Sequence, residues 1–286
     1  MKKAIKKAIE NGLLLLNKKV VFLSDTHLGA GDNADESVNV QHLIFYALKY
    51  YYKNNYTVVL LGDSFELAET HDIEKIKNVH DDIMWILSEL HNNGQLVVVK
   101  GNHDYKLNEK LLGTRESQYD GSKIEFLKDV KVYDSVNIVL PYKTKSIVAM
   151  HGNQYFWRYS SWFNKLLVWL GPLWKKYQLH FKDYHIAEYT GWQDADKCQK
   201  YFNELGKGKD IHFVIGHTHK TNFKMENLTD CGSFGCMPRC VTCVEFEPDS
   251  YDTKNNIRLN TCKFAEEVED NGNVVVKRSI LGTQNL

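Results

Sequence analysis

Val20-Val21-Phe22-Leu23-Ser24-Asp25-Thr26-His27-Leu28-Gly29 opens on four consecutive apolar residues and turns abruptly polar at Ser24. A short, β-branched apolar run closed in this way predicts a buried strand with a polar site at its carboxyl end. The same punctuation recurs four times: 58–61 before Gly62-Asp63, 96–99 before Gly101-Asn102-His103-Asp104, 147–150 before His151-Gly152, and 212–215 before Gly216-His217-Thr218-His219. Helical periodicity fills the gaps between the first three runs. Residues 40–52 carry Leu43, Ala47, Leu48 and Tyr51 on one face, and 73–90 carry Ile76, Val79, Ile83, Ile86, Leu87 and Leu90. Strand–helix alternation predicts an α/β fold with a largely parallel sheet, in which polar sites gather beyond the strand ends. From Asp230 onward the pattern reads as short strands, clearest at 240–246 and 273–276, with Asn271-Gly272 as a hairpin turn. Neither a repeat nor a low-complexity linker interrupts the chain. One domain over 1–286 is expected, with a helical, aromatic-rich insertion over 155–205.

Composition narrows the function classes. The 286 residues hold 36 basic and 36 acidic side chains, 43% apolar and 25% charged residues, which excludes disorder and a disulfide-stapled miniprotein. Zero net charge, with arginine only at 115, 158, 239, 258 and 278, supplies no field for tracking a nucleic-acid backbone. Met1-Lys2-Lys3-Ala4-Ile5-Lys6-Lys7 has the charge of a signal peptide, but the apolar stretch at 13–16 is too short to follow it as one. The six cysteines are therefore expected as reduced thiols of a cytoplasmic protein. Ala4, Ile5, Ala8 and Ile9 among four lysines predict a short basic helix, read mainly as solvated and secondarily as a membrane contact.

The strand ends carry the chemistry. On an extended segment, Asp25-x-His27 and His217-x-His219 would each project both members to one side. Imidazole, carboxylate and amide without thiolate suit manganese, iron or zinc in a working site and disfavour structural zinc.

In this order, from about residue 20 to 246, the blocks resemble the calcineurin-like metallophosphoesterase family. The resemblance implies a two-sheet α/β sandwich with flanking helices and a dinuclear metal site along one edge. By the same resemblance Asp25, His27 and His219 hold one ion, Asn102, His151 and His217 the other, and Asp63 bridges them. His103 would stand beside the scissile phosphate with Asp104 orienting its ring, and Glu66, where many relatives have Asp, would stand behind the ligands. Two divalent ions, manganese first and iron or zinc also fitting, would clamp the phosphate and generate a bridging hydroxide for in-line attack.

Between Tyr155 and Trp192, 13 of 38 residues are aromatic, with lysines interspersed. Two readings stand: a helical cap packed on the sandwich, or a lipid-contacting surface that touches the inner face of a membrane. His151-Gly152-x-Gln154 and the Trp/Leu-rich cap also resemble the branch that hydrolyses UDP-2,3-diacylglucosamine, although enzymes of that branch carry arginine where this chain has His103. A lipid-linked or nucleotide-linked phosphodiester or pyrophosphate is the expected substrate, with Trp157, Arg158 and Trp162 as candidate contacts and no obligatory protein partner. The alternatives are a nuclease on the same metal site and a metal-binding scaffold without catalysis. Cys231, Cys236, Cys240 and Cys243 are spaced unlike paired zinc knuckles and are expected as buried or half-buried thiols rather than a metal site.

Overall fold

Side-chain alternation along Val20–Leu23 (β2) divides the interior in two. Val20 and Phe22 point into one apolar cluster and Val21 and Leu23 into another, and all four are buried. The computed structural model describes residues 2–15, 18–70, 72–107, 113–116, 120–121, 123–126, 128–139, 145–155, 170, 173, 194–236, 239–248 and 258–286. Two sheets enclose the first cluster. In the seven-stranded sheet β2 lies beside Thr57–Leu61 (β3), followed by Leu96–Val99 (β4) and Val132–Tyr133 (β7), all parallel. Its other side continues antiparallel through Cys240–Glu247 (β13), Arg258–Val268 (β14) and Val274–Asn285 (β15). The six-stranded sheet runs Leu13–Leu15 (β1), Val136–Val139 (β8), Ser146–Ala149 (β9), Ile211–Ile215 (β10), Leu228–Asp230 (β12) and Asn222–Met225 (β11). Gly113–Glu116 (β5) and Lys123–Phe126 (β6) form a separate hairpin.

Helices cover the outer faces. Gln41–Lys53 (α2), Ile73–Val79 (α3) and Asp81–Asn92 (α4) lay Leu43, Ala47, Ile76, Ile83 and Leu87 onto the seven-stranded sheet. Lys3–Glu10 (α1) and Ala195–Lys207 (α5) cover the six-stranded one, where Ile5 and Ala8 pack with Phe202 and Phe213. This is the expected two-sheet α/β sandwich with flanking helices.

Several local expectations are corrected. The single helix over 73–90 is two, broken at His80, whose buried ring is held 3.0 Å from Asp35 while Asp81 and Asp82 open the next helix. The apolar stretch at 13–16 begins as β1, paired in parallel with β8. The basic helix α1 is not solvated all round, because Ile5 and Ala8 are buried against the six-stranded sheet. Ser135 Oγ and Asn137 Nδ2 also donate to its Ala8 and Ile9 carbonyls at 2.8 and 2.9 Å. The C-terminal strands are long, at 11 and 12 residues, because β14 and β15 pair with each other beyond the reach of the sandwich. No described helix is long and apolar enough to cross a membrane.

One buried polar network ties α2 to the antiparallel side. Glu245 on β13 is wholly buried and accepts from Tyr51 Oη at 2.8 Å and from Arg278 Nε at 2.8 Å, with a second bond from Arg278 Nη2. Removing one partner of a buried pair strands the other charge. Arg278→Met is expected to destabilise the chain by about 3–5 kcal/mol in urea denaturation, and Glu245→Met added to it to recover much of that loss.

Candidate metal centre

β2, β3, β4, β9 and β10 all end at the same rim of the sandwich, so the residues after them meet there. The segments after β2 and β3 stay together through Asp25 N–H to Gly62 O at 3.1 Å and His27 N–H to Asp63 O at 2.9 Å. His217 N–H donates to Asp25 Oδ2 at 2.7 Å and His103 N–H to Asp63 Oδ1 at 2.8 Å, fixing both carboxylates from the neighbouring loops. Gly101 packs directly against Asp63. A Cβ there would run into Asp63 Oδ1, so only glycine lets the two loops meet.

The side chains converge for a different reason than an extended Asp-x-His implies. Asp25, His27, Asp63, His217 and His219 all have positive φ, between 48° and 68°, so the backbone is turned at each of them. They are five of the nine described non-glycine residues in that region, a conformation held at a cost of about 1–3 kcal/mol each.

Four groups of ligand-type atoms within 4.8 Å of one another result among the described residues, two of them being Asp25, His27 and Asp63, and Asp63, His151 and His217. Asp63 is common to both. His219 Nε2 lies 3.2 Å from Asp25 Oδ1, and Asn102 Oδ1 lies 3.2 Å from His151 Nε2. The tautomers follow from the partners. His151 Nδ1 donates to the Leu61 carbonyl at 3.0 Å and His27 Nδ1 to Glu66 at 2.8 Å, which turns both Nε2 atoms toward the centre. There His151 Nε2 faces two oxygens, Asp63 Oδ2 at 2.9 Å and Asn102 Oδ1. Buried Asp25 Oδ1 and His27 Nε2, 3.8 Å apart, have no hydrogen-bond partner. Lone pairs aimed at lone pairs in a buried site call for a cation between them, and these residues fit a divalent metal.

Protons and a metal compete for the same nitrogens. Burial is outweighed at His27 by Cys236, Asp25 and Glu66, which hold it well above the usual imidazole range. At His151 it is outweighed by Asp63 and Asp25, which raise it to about 9, so a metal binding there would displace protons. Burial works against the Asp25 and Asp63 carboxylates, yet the surrounding imidazoles hold both well below the usual range. Burial, with His151 beside it, pushes His217 down to about 3, leaving it neutral and able to ligate. For His103, burial is outweighed by the Glu66 and Asp63 carboxylates, which raise it to about 10.

Glu66 touches two rings at once, His27 Nδ1 and His103 Nδ1, each at 2.8 Å. This corrects the expected part of Asp104. Its carboxylate accepts from Ser64 N–H at 2.8 Å and Gly101 N–H at 2.7 Å, so it braces the two loops, and Glu66 orients His103. A thiol also stands at the edge of this set, with Cys236 Sγ within 4.8 Å of the His27 and His219 ring nitrogens. Cys231 and Cys243 enter separate apolar clusters, Cys240 is half-buried, and none of the six cysteines forms a disulfide. Asp230 accepts from Thr218 Oγ1 at 2.7 Å and Gln199 Nε2 at 2.9 Å, pinning the Gly216-His217-Thr218-His219 turn. No local pattern marks Asp230, whereas Cys236 is signalled by its place in a small-residue turn after a strand. Trp157, Arg158 and Trp162 lie outside the described residues.

The sandwich and its rim of metal-ligating groups define a metal-dependent hydrolase of phosphate esters. The sequence profile of calcineurin-like phosphoesterases matches residues 18–221, and the chain belongs to that family. No curated protein sequence matches it significantly. Among solved structures it is loosely similar to a predicted phosphoesterase of Streptococcus pneumoniae TIGR4, with 13% identity, TM-score 0.36, and 92% of this chain and 97% of that one covered. Chaetomium thermophilum Vps29 matches at 10% identity and TM-score 0.38, covering 93% and 98% of the two chains. A 5′-nucleotidase candidate from Staphylococcus aureus, in complex with alpha-ketoglutarate, matches at 14% identity and TM-score 0.34, covering 92% of this chain and 53% of that one.

Gly101→Ala is expected to displace Asp63. Zinc or manganese should raise the melting temperature of the wild type and leave that of the variant unchanged, read by thermal denaturation with and without metal.

Proposed function

We propose that the chain cleaves a phosphodiester or pyrophosphate bond in a lipid-linked or nucleotide-linked substrate, using two divalent ions. Asp25, His27 and His219 would hold one ion, Asn102, His151 and His217 the other, and Asp63 would join them. The carrying observation is that Asp63 belongs to both sets of converging atoms. Bound there, the ions would supply Lewis acidity at phosphorus and a water acidic enough to react near neutral pH. The protein's own contribution is orientation and proton supply. Glu66 holds His103 by Nδ1, and the ring, 28% exposed, is the most open of those around the site. Its Nε2 is free to donate a proton to the leaving oxygen, and the raised pKa keeps that proton in place at neutral pH.

Substrate class rests on the 155–192 segment. Its tryptophans and lysines suit an amphiphilic ligand, and Leu170 and Leu173 within it are helical and exposed. A surface of that kind also suits peripheral contact with a membrane.

The metal-stripped chain is expected to hydrolyse bis(p-nitrophenyl) phosphate only after manganese, iron or zinc is restored. His103→Ala should retain both metal equivalents and lose about 10²–10⁴-fold in turnover, whereas Asp63→Ala should lose metal and turnover together. Full metal occupancy in Asp63→Ala overturns the bridging role. A UDP-linked diacylated sugar should be cleaved in preference to plasmid DNA, and the reverse preference overturns the substrate assignment in favour of a nuclease.

A further inference from the structure

The turn after β12 is stitched to the segment after β2. Phe234 N–H donates to Ser24 O at 2.8 Å and Gly235 N–H to Asp25 O at 3.2 Å, while Ser233 Oγ donates to the same Asp25 carbonyl at 3.0 Å. A Cβ on Gly235 would collide with the Thr26 carbonyl, so glycine is what permits so close an approach. Cys236 follows directly, its N–H donating to Ser233 Oγ at 2.9 Å. The turn thereby delivers a buried thiol to the rim of the site. Its Sγ, lying 3.7 Å from the Asp25 carbonyl, sits within 4.8 Å of ring nitrogens on both His27 and His219. Ligand atoms on one tetrahedral ion stand about 3.5 Å apart, given the bond lengths of zinc to sulfur and nitrogen. Asp25 Oδ1, wholly buried and without a hydrogen-bond partner, lies 3.8 Å from His27 Nε2 and 3.2 Å from His219 Nε2.

We propose that Cys236 supplies a thiolate to the ion held by Asp25, His27 and His219, and biases that position toward zinc, iron or cobalt and away from manganese. This rests on the metal-site assignment made above. Coordination exchanges the S–H bond for a sulfur–metal bond, the proton leaves to solvent, and no electron is transferred. Softness gives the selectivity: thiolate favours softer divalent ions, whereas carboxylate and water suit manganese. The other cysteines lack this neighbourhood. Cys198, Cys231, Cys243 and Cys262 are buried away from these nitrogens, and Cys240 lies on β13.

Cobalt(II) titration of the metal-stripped full chain tests the assignment. Wild type is expected to develop visible ligand-field bands together with a near-ultraviolet sulfur-to-cobalt charge-transfer band. Cys236→Ser should keep the former and lose the latter, and Cys198→Ser should keep both. Zinc-over-manganese preference, measured by competition, should fall on the order of tenfold or more in Cys236→Ser. Cys236→Ala serves as the second variant if the serine chain does not fold. Ligand-field bands without a charge-transfer band in wild type, or a charge-transfer band that survives loss of Cys236, overturns the thiolate. No cobalt spectrum at all in wild type overturns the metal-site assignment and this proposal with it.

Discussion

Placing the Asp25 and Asp63 carboxylates out of water, in the seam between two sheets, is the costliest demand this fold meets. A buried carboxylate is tolerated only when opposite charge or hydrogen-bond donors surround it. Here the compensation comes from imidazoles on three other strand ends and from backbone N–H groups of His217 and His103. The result is a site whose oxygens and nitrogens face one another and whose residual repulsion a divalent cation relieves. The metal chemistry thus follows from the same packing that closes the sandwich.

That packing is held open against its own backbone preference. Five residues of the cluster sit in the left-handed region, and the surrounding contacts keep them there. Asp104 clamps the loops after β3 and β4, Asp230 with Thr218 and Gln199 clamps the turn after β10, and Glu66 fixes two rings with one carboxylate. None of these three carboxylates belongs to the converging set around Asp63, yet each restricts how far a member of it can move. Preorganisation of this kind lets a site present charge without rearranging.

Most of the frame was legible along the chain. The runs before Asp25, Asp63, Asn102, His151 and His217 are buried strands because mostly apolar, β-branched-rich runs fit a sheet covered on both faces. The break at His80 was not legible, since the apolar period continues through it. A buried pairing with Asp35, 45 residues away in sequence, interrupts the helix there. The long β14–β15 hairpin was underread because its outer residues, among them Val268, Val274 and Ile280, are exposed and give no buried alternation.

Residue order alone was enough to assign the five strands that lead into the polar blocks, the chain order of those blocks and the metal-ligating type of their side chains. Strand type and ligand type are local properties, set by side-chain shape and donor atoms. Which groups touch is not local. That Glu66 rather than Asp104 meets His103, that left-handed backbone rather than strand alternation aims Asp25 and His27, and that Cys236 stands beside His27 and His219 each depend on loops from separate strands meeting at one rim. The approach of those loops is governed by contacts such as Gly101 on Asp63 and Gly235 on Thr26, between residues far apart in the chain.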